Sequence, residues 1–436
     1  MKPTPLGCHF MKKLNKEVKD FIVRTRKNTN NNTRNKGNNI YKTLYVDLAR
    51  YFLLQKEIPI GDKVVDVNLT DHYISEFKSN RFISKEIIDH CITNVKNKNA
   101  KILSYNFQIE NIKYQINYIF FKKITSSLIS KMKREVMNLI PVLRIFNKYN
   151  QNKNVEYLRV MCYMTPMKKE LPKKGIIGPK EVNTGSVIPC QNTTTITVFR
   201  TEEHFKVIIH ELIHALCIDF STNNYSFMQD DIKKIFPIQS DFLLSETYCE
   251  FWALNLYLMT KAVNFSGILD NMTLEDVSVT NINEELYEEF DTVFTSFLYI
   301  EKFWSMFQVV KILDYMGLKY VELFNVESKA EKKALYKENT NVFAYYVMKT
   351  VILFFNDEFL INNLRTTNTY IYFPGNEIEA LNGFYKFITK YYNNTKLLKE
   401  IQIMEKLYLN FKDIQRNKSK NNKNKILANT MRMTIV

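Results

Sequence analysis

His210, Glu211 and His214 stand in the order His-Glu-Leu-Ile-His, an HExxH sequence. On a helix, a separation of four puts both imidazoles on one face, and it turns Glu211 to the side where it can address a water on the same ion. Zinc takes neutral imidazole nitrogens, keeps a position open for water and lowers that water's pKa; a nearby carboxylate then removes the proton. The chemistry implied is metal-assisted hydrolysis, with His210 and His214 as zinc ligands and Glu211 as general base. The surrounding stretch, TEEHFKVIIHELIHALCID, is apolar on nearly every side through Phe205, Val207, Ile208, Ile209, Leu212, Ile213 and Leu216. It predicts a buried helix over residues 201–219, where each unpartnered polar side chain costs about 1–3 kcal/mol. A metal ion supplies the partner.

Such a site needs a third ligand, and residues 215–220 (Ala-Leu-Cys-Ile-Asp-Phe) exclude the HExxHxxGxxH form. The next candidate is SDFLLSETYCEFWALNLYLM, read as an apolar helix with Ser240 or Asp241 as N-cap and with Glu246 and Glu250 four apart on one face. HExxH on one helix completed by an acid on a following helix resembles the gluzincin group of zinc metallopeptidases, whose second motif is often written ExxxD. The resemblance covers roughly residues 193–258. It implies Glu246 as third zinc ligand, Glu250 as the acid that orients a ligand histidine, and hydrolysis of peptide bonds. The chain departs from the pattern in three ways: Glu rather than Asp at 250, Ser245 where many members have Asn, and 31 residues between His214 and Glu246. The segment TEEHFKVIIHELIHALCIDF also resembles one in proteins of large DNA viruses.

Weaker signals surround the motif. His204, six residues before His210, reads as a helix-surface residue. Cys217, one turn past His214, reads as a small buried hydrophobe with thiolate ligation as the alternative, and Asp219 either orients a ligand or ends the helix. An oxyanion donor is required, and none can be singled out among 26 Tyr.

The elements that must position these residues have two textures. Strict alternation over residues 101–121, broken at Glu110 and Asn111, predicts an antiparallel hairpin; 128–148 reads as helix, 157–164 and 193–200 as strands. Helical periodicity dominates 241–263, 283–324, 329–355 and 380–412. The fold class is therefore α+β. The resemblance makes it zincin-like, a twisted sheet plus the HExxH helix followed by a mainly helical lobe. The division reads as a basic Asn-rich arm (1–44), a sheet-containing lobe (45–239), a helical lobe with the third ligand (240–412) and a basic tail (413–436). In this arrangement an extended peptide adds to an exposed strand, with 193–200 the candidate edge.

Composition bounds the rest. With 436 residues, 45% of them hydrophobic, the chain can bury a sizeable core. A net charge of +16 favours anionic partners, either acidic peptide or protein substrates or nucleic acid along the basic tails. A basic nucleic-acid or acidic-surface binding protein with a structural or degenerate zinc site is thus one rival reading, and a zinc hydrolase of a non-peptide bond is the other. The six cysteines are scattered singly, which reads as a reducing, cytoplasmic or otherwise intracellular setting, with a virion as the viral variant. Neither a signal peptide nor a membrane span is predicted.

Overall fold

Alternation in the hairpin is realised residue by residue. In a computed structural model describing residues 4–28, 31–66, 77–80, 82–150, 155–222, 225–277, 282–325, 334–367, 369–371, 378–417 and 422–436, β1 (Gly61–Asp66) pairs antiparallel with β2 (Lys101–Ile109). Strand β2 in turn pairs antiparallel with β3 (Ile112–Phe120), from Lys101↔Phe120 to Ile109↔Ile112. Leu103, Tyr105, Phe107 and Ile109, then Ile112, Tyr114, Ile116, Tyr118 and Phe120, are all buried. The turn between them puts Glu110 at φ 53°.

A crossover helix, Ser126–Tyr149, is N-capped by Thr125 and carries the chain to β4 (Tyr157–Tyr163), which runs parallel to β3. The strand expected at 193–200 is β6 (Thr193–Val198), parallel to β4, and β5 (Gly185–Ser186) pairs antiparallel with its end through Gly185↔Val198 and Ser186↔Thr197. The mixed sheet has the order β1-β2-β3-β4-β6-β5. The edge expected at 193–200 is therefore covered by β5 only at Thr197 and Val198, and among the described strands none pairs with residues 193–196 on that side. The sheet's second face is half covered by the helix Lys85–Lys96, whose Ile87, Cys91 and Val95 pack with Ile119, Met161, Tyr163 and Phe199.

Below the sheet lies the motif helix, His204–Ala215, and against it the acid helix, Leu244–Ser266, which ends at Gly267 in the left-handed conformation, φ 74°. Neither Ser240 nor Asp241 caps the acid helix. Ser240 Oγ accepts from the Glu338 backbone N–H, and Asn341 Oδ1 takes the Leu243 N–H at 3.0 Å. Long helices at Glu284–Tyr315, Ile378–Tyr391 and Thr395–Asn417 complete the helical part. The predicted helix 329–355 is shorter: 329–333 lie outside the described residues, Glu338 bridges to Ile177, and a π-turn, Phe343–Met348, leads into the helix Lys349–Phe354. Among the described residues no helix is long and apolar enough to cross a membrane.

The arm and the tail differ from the sequence reading. Much of residues 1–44 is helical, in Pro5–Lys13, Asn15–Asn28 and the start of Asn31–Leu54. Phe10, Leu14, Val18, Phe21, Ile40, Tyr41 and Leu44 join the main core, and Tyr41 Oη lies 2.6 Å from Asn255 Oδ1 and 2.7 Å from Asn356 Oδ1. The Asn/Lys run masks an apolar stripe that continues past residue 44 as Tyr45, Leu48, Ala49 and Phe52. Residues 418–421 of the tail are outside the described set, but Leu427, Met431, Ile435 and Val436 are buried, and Glu301 Oε1 accepts from Thr434 Oγ1 and from the N–H groups of Ile435 and Val436 at 2.6–2.8 Å. With one short helix, Asn422–Asn429, and a few apolar residues in the irregular backbone after it, the tail has no periodicity to announce its burial. The cysteines also depart from expectation, since Cys190 and Cys217 form a disulfide across a Cα separation of 5.3 Å.

Candidate metal centre

The motif helix is apolar almost throughout, so the core takes it in on all sides; Ile208, Ile209, Leu212 and Ile213 are fully buried. His210 and His214 face the acid helix one turn apart, and there Glu246 meets both. Glu246 Oε2 lies 3.0 Å from His210 Nε2 and 3.3 Å from His214 Nε2, and the two Nε2 atoms are 3.3 Å apart. Three lone-pair atoms thus converge on one point. The remaining ring nitrogens are turned outward to acids: His214 Nδ1 lies 2.9 Å from Asp219 Oδ2, and His210 Nδ1 lies 3.3 Å from Glu250 Oε2, near enough for charge attraction but off hydrogen-bond geometry.

Glu250 is held in turn. Its Oε1 takes a short bond from Lys206 Nζ, one turn before His210 on the motif helix, and Lys349 Nζ stands 3.8 Å away. Burial would push the Glu250 carboxyl up, but Lys206, His210 and Lys349 hold it far below the usual range. Glu246 behaves likewise, with burial overridden by His214 and His210. Burial pulls the His210 imidazolium down, yet Glu246 and Glu250 raise its pKa to about 9. Among the described residues Glu211 forms no ion pair, and burial pushes its carboxyl up to about 7 against the pull of His210, His214 and Lys206.

Strand β5 passes directly over Glu211. A Cβ on Gly185 would stand 2.7 Å from Glu211 Oε1 and 2.7 Å from Val207 Cγ1, so only glycine lets this edge approach. On the opposite wall is Tyr345, whose ring centroid is 6.0 Å from that of His210. It is the one half-buried side chain in the inner part of the π-turn, between buried Ala344 and Tyr346; π-turns recur where a helix must re-aim a functional residue. Burial, reinforced by Glu246 and Glu211, pushes its phenol well up, so it stays a hydroxyl donor.

All of the sequence-designated residues, His210, Glu211, His214, Glu246 and Glu250, are brought together. Among the described residues a second group, His214, Asp219 and Cys249, also clusters closely enough to hold a metal. It uses the other face of His214, and Cys249 and Asp219 are sealed in the core. His210, Glu211, Glu250 and Tyr345 instead line a cavity. Ser245 stays out of the centre and meets Tyr225 Oη at 3.2 Å. Cys217 turns away into its disulfide and is neither ligand nor core hydrophobe. His204 is not a surface residue: its Nε2 lies 2.5 Å from Glu135 on the crossover helix and docks the start of the motif helix there. Sequence reasoning missed Lys206, although a lysine inside an apolar run, four residues before His210, is a visible signal. Tyr345 carried none. No protein-family model, curated protein or solved structure matches the chain.

Proposed function

We propose that this protein is a zinc-dependent peptidase in which His210, His214 and Glu246 hold the ion. The observation that carries the reading is the spacing of their three facing atoms, 3.0, 3.3 and 3.3 Å. Tetrahedral ligation at about 2.0–2.1 Å separates ligand atoms by about 3.3 Å. Without an ion, protonated imidazoles pair with Glu246; a dication would take the place of those protons.

Zinc bound there would polarise the scissile carbonyl and acidify the attacking water. The chain's own residues supply the rest. Glu211 takes the water's proton and passes it to the leaving nitrogen. Tyr345 donates its hydroxyl to the developing oxyanion. Asp219 and Glu250 fix the two imidazoles through their Nδ1 atoms. Edge strand β5 offers backbone groups to an extended peptide beside Glu211.

Zinc analysis of the purified protein should give about one ion per chain, lost in His214→Ala. Glu211→Gln should retain the ion and lose about 10²–10⁴ in the rate of peptide cleavage. A protein that takes up no zinc on reconstitution, or a Glu211→Gln variant of undiminished activity, would overturn the proposal.

A further inference from the structure

Next to the metal centre is a cavity of about 30 Å³, room for about one or two waters. Its wall away from the histidines is made by Lys169, Thr184, Lys206 and Met433. Both lysines are almost completely buried, each with one acid: Lys169 with Glu203 and Lys206 with Glu250. Both acids also face a second group. Glu203 gives its second oxygen to the Thr434 N–H at 2.7 Å, and Glu250 turns its second oxygen to His210. Each ammonium has three donors: Lys169 commits one to its acid, and Lys206 commits one to its acid and a weaker one to Met433 Sδ at 3.9 Å. Thr184 is also buried, and among the described residues its hydroxyl has no hydrogen-bond partner. The far wall therefore presents two ammonium groups and a free hydroxyl, all able to donate.

Buried donors left unmatched favour an acceptor that brings its own charge. We infer that this cavity is a subsite for a substrate carboxylate, bound by Lys169, Lys206 and Thr184 beside the scissile bond. The two oxygens of a carboxylate replace the one or two waters the space can hold. Two cations are needed because Glu211, on the same cavity, repels an anion. The inference rests on the peptidase reading, and its chemistry has two sources: the free α-carboxylate of a peptide's last residue, or an aspartate side chain.

The test compares zinc-loaded protein on two pairs of blocked peptides that differ in one group each: a free C-terminal acid against its amide, and Asp against Asn on the leaving-group side of the scissile bond. The acid member of at least one pair should be cleaved with a kcat/KM about tenfold higher or more, the scale of a charge-assisted contact; which pair shows it identifies the source. Lys169→Met should bring that ratio towards one. Should this variant fail to fold with Glu203 unpaired, Thr184→Val, close to isosteric, should still lower the ratio. Equal kcat/KM within both pairs for the wild-type protein overturns the subsite while leaving the peptidase reading intact. If no peptide is cleaved, calorimetry with the same peptides separates the two ideas: tighter binding of an acid member supports the subsite without the peptidase reading, and equal binding overturns it.

Discussion

The two ends of the motif helix hold their histidines by different means. At the C-terminal end the support is local. His214 is backed by Asp219, five residues on, whose other oxygen accepts from Ser221 Oγ at 3.0 Å, with Cys249 Sγ 3.4 Å from Oδ2. At the N-terminal end it is assembled from afar. His210 is backed by Glu250; Glu250 is held by Lys206 and approached by Lys349; Lys349 donates to the Met433 carbonyl; and Glu203, at the helix start, accepts from Thr434. One end can survive as a turn of chain. The other pairs Lys206, Glu250 and His210 between two helices and draws on residues 430–436 through Lys349 and Glu203, so its support is partly distant.

Deleting residues 430–436 is the strongest way to break the comparison. It removes Met431, Met433, Ile435 and Val436 from the core, and at about 1.5–3 kcal/mol per buried apolar side chain this rivals the 5–15 kcal/mol that holds a typical domain. It also strands Glu301 and takes one partner each from Lys349 and Glu203. The truncated chain should lose both its cooperative unfolding transition and its metal. A truncated protein that binds zinc like the full chain would show that the N-terminal end needs no distant support.

A finer contrast sets Glu250→Gln against Asp219→Asn. Each weakens the hold on one imidazole, a change that typically costs 10–100-fold in metal affinity or activity. Glu250→Gln in addition leaves Lys206 and Lys349 buried without their anion, a loss of about 3–5 kcal/mol. Asp219→Asn keeps an amide oxygen to accept from His214 Nδ1–H and strands no cation. Denaturant midpoints and zinc titrations of both variants should therefore rank Glu250→Gln well below Asp219→Asn. The reverse order would mean that the local contact dominates.

The same division explains what could be read from sequence. Features carried by short-range periodicity were legible: the hairpin alternation, the crossover helix, the apolar motif helix, and the four-residue spacings of His210/His214 and Glu246/Glu250. His210, His214 and Glu246 do come close enough to hold a metal, while metal binding, the ion and each residue's role belong to the proposal. Features made by distant contacts were not. The arm's stripe was cut by the boundary at residue 44, Cys190 finds Cys217 only once β5 and β6 fold over the motif helix, and Tyr345 becomes special only because a π-turn aims it. The tail shows the limit most clearly. Its burial comes from Glu301, Trp304, Gln308 and Lys311 on the long helix Glu284–Tyr315, which bond its backbone, and no pattern within residues 430–436 announces such partners.

The smallest effect concerns Glu338, where distant support comes without a cation. Glu250 and Glu203 each meet a lysine, whereas Glu338 Oε2 has only neutral donors, Tyr336 Oη and the Phe343 N–H, each at 2.8 Å, and Oε1 is buried without a partner. Burial therefore prevails over these bonds and pushes its carboxyl up to about 8. Below pH 4.5 both the folded and the unfolded chain carry this proton. As pH rises from there towards 8, the unfolded chain releases it while the folded chain retains it, so the unfolded state binds fewer protons and stability falls. Glu338→Gln is neutral at every pH and keeps an acceptor for Phe343, the first residue of the turn that presents Tyr345. The variant should match the wild type near pH 4.5 and exceed it increasingly up to pH 8, by an amount set by how far Glu338 is raised, at about 1.4 kcal/mol per unit. Denaturant midpoints across that range read the difference between the two slopes. Parallel slopes would show that Glu338 is ionised in the fold and finds a counter-charge, and the contrast between charged and neutral support would then disappear.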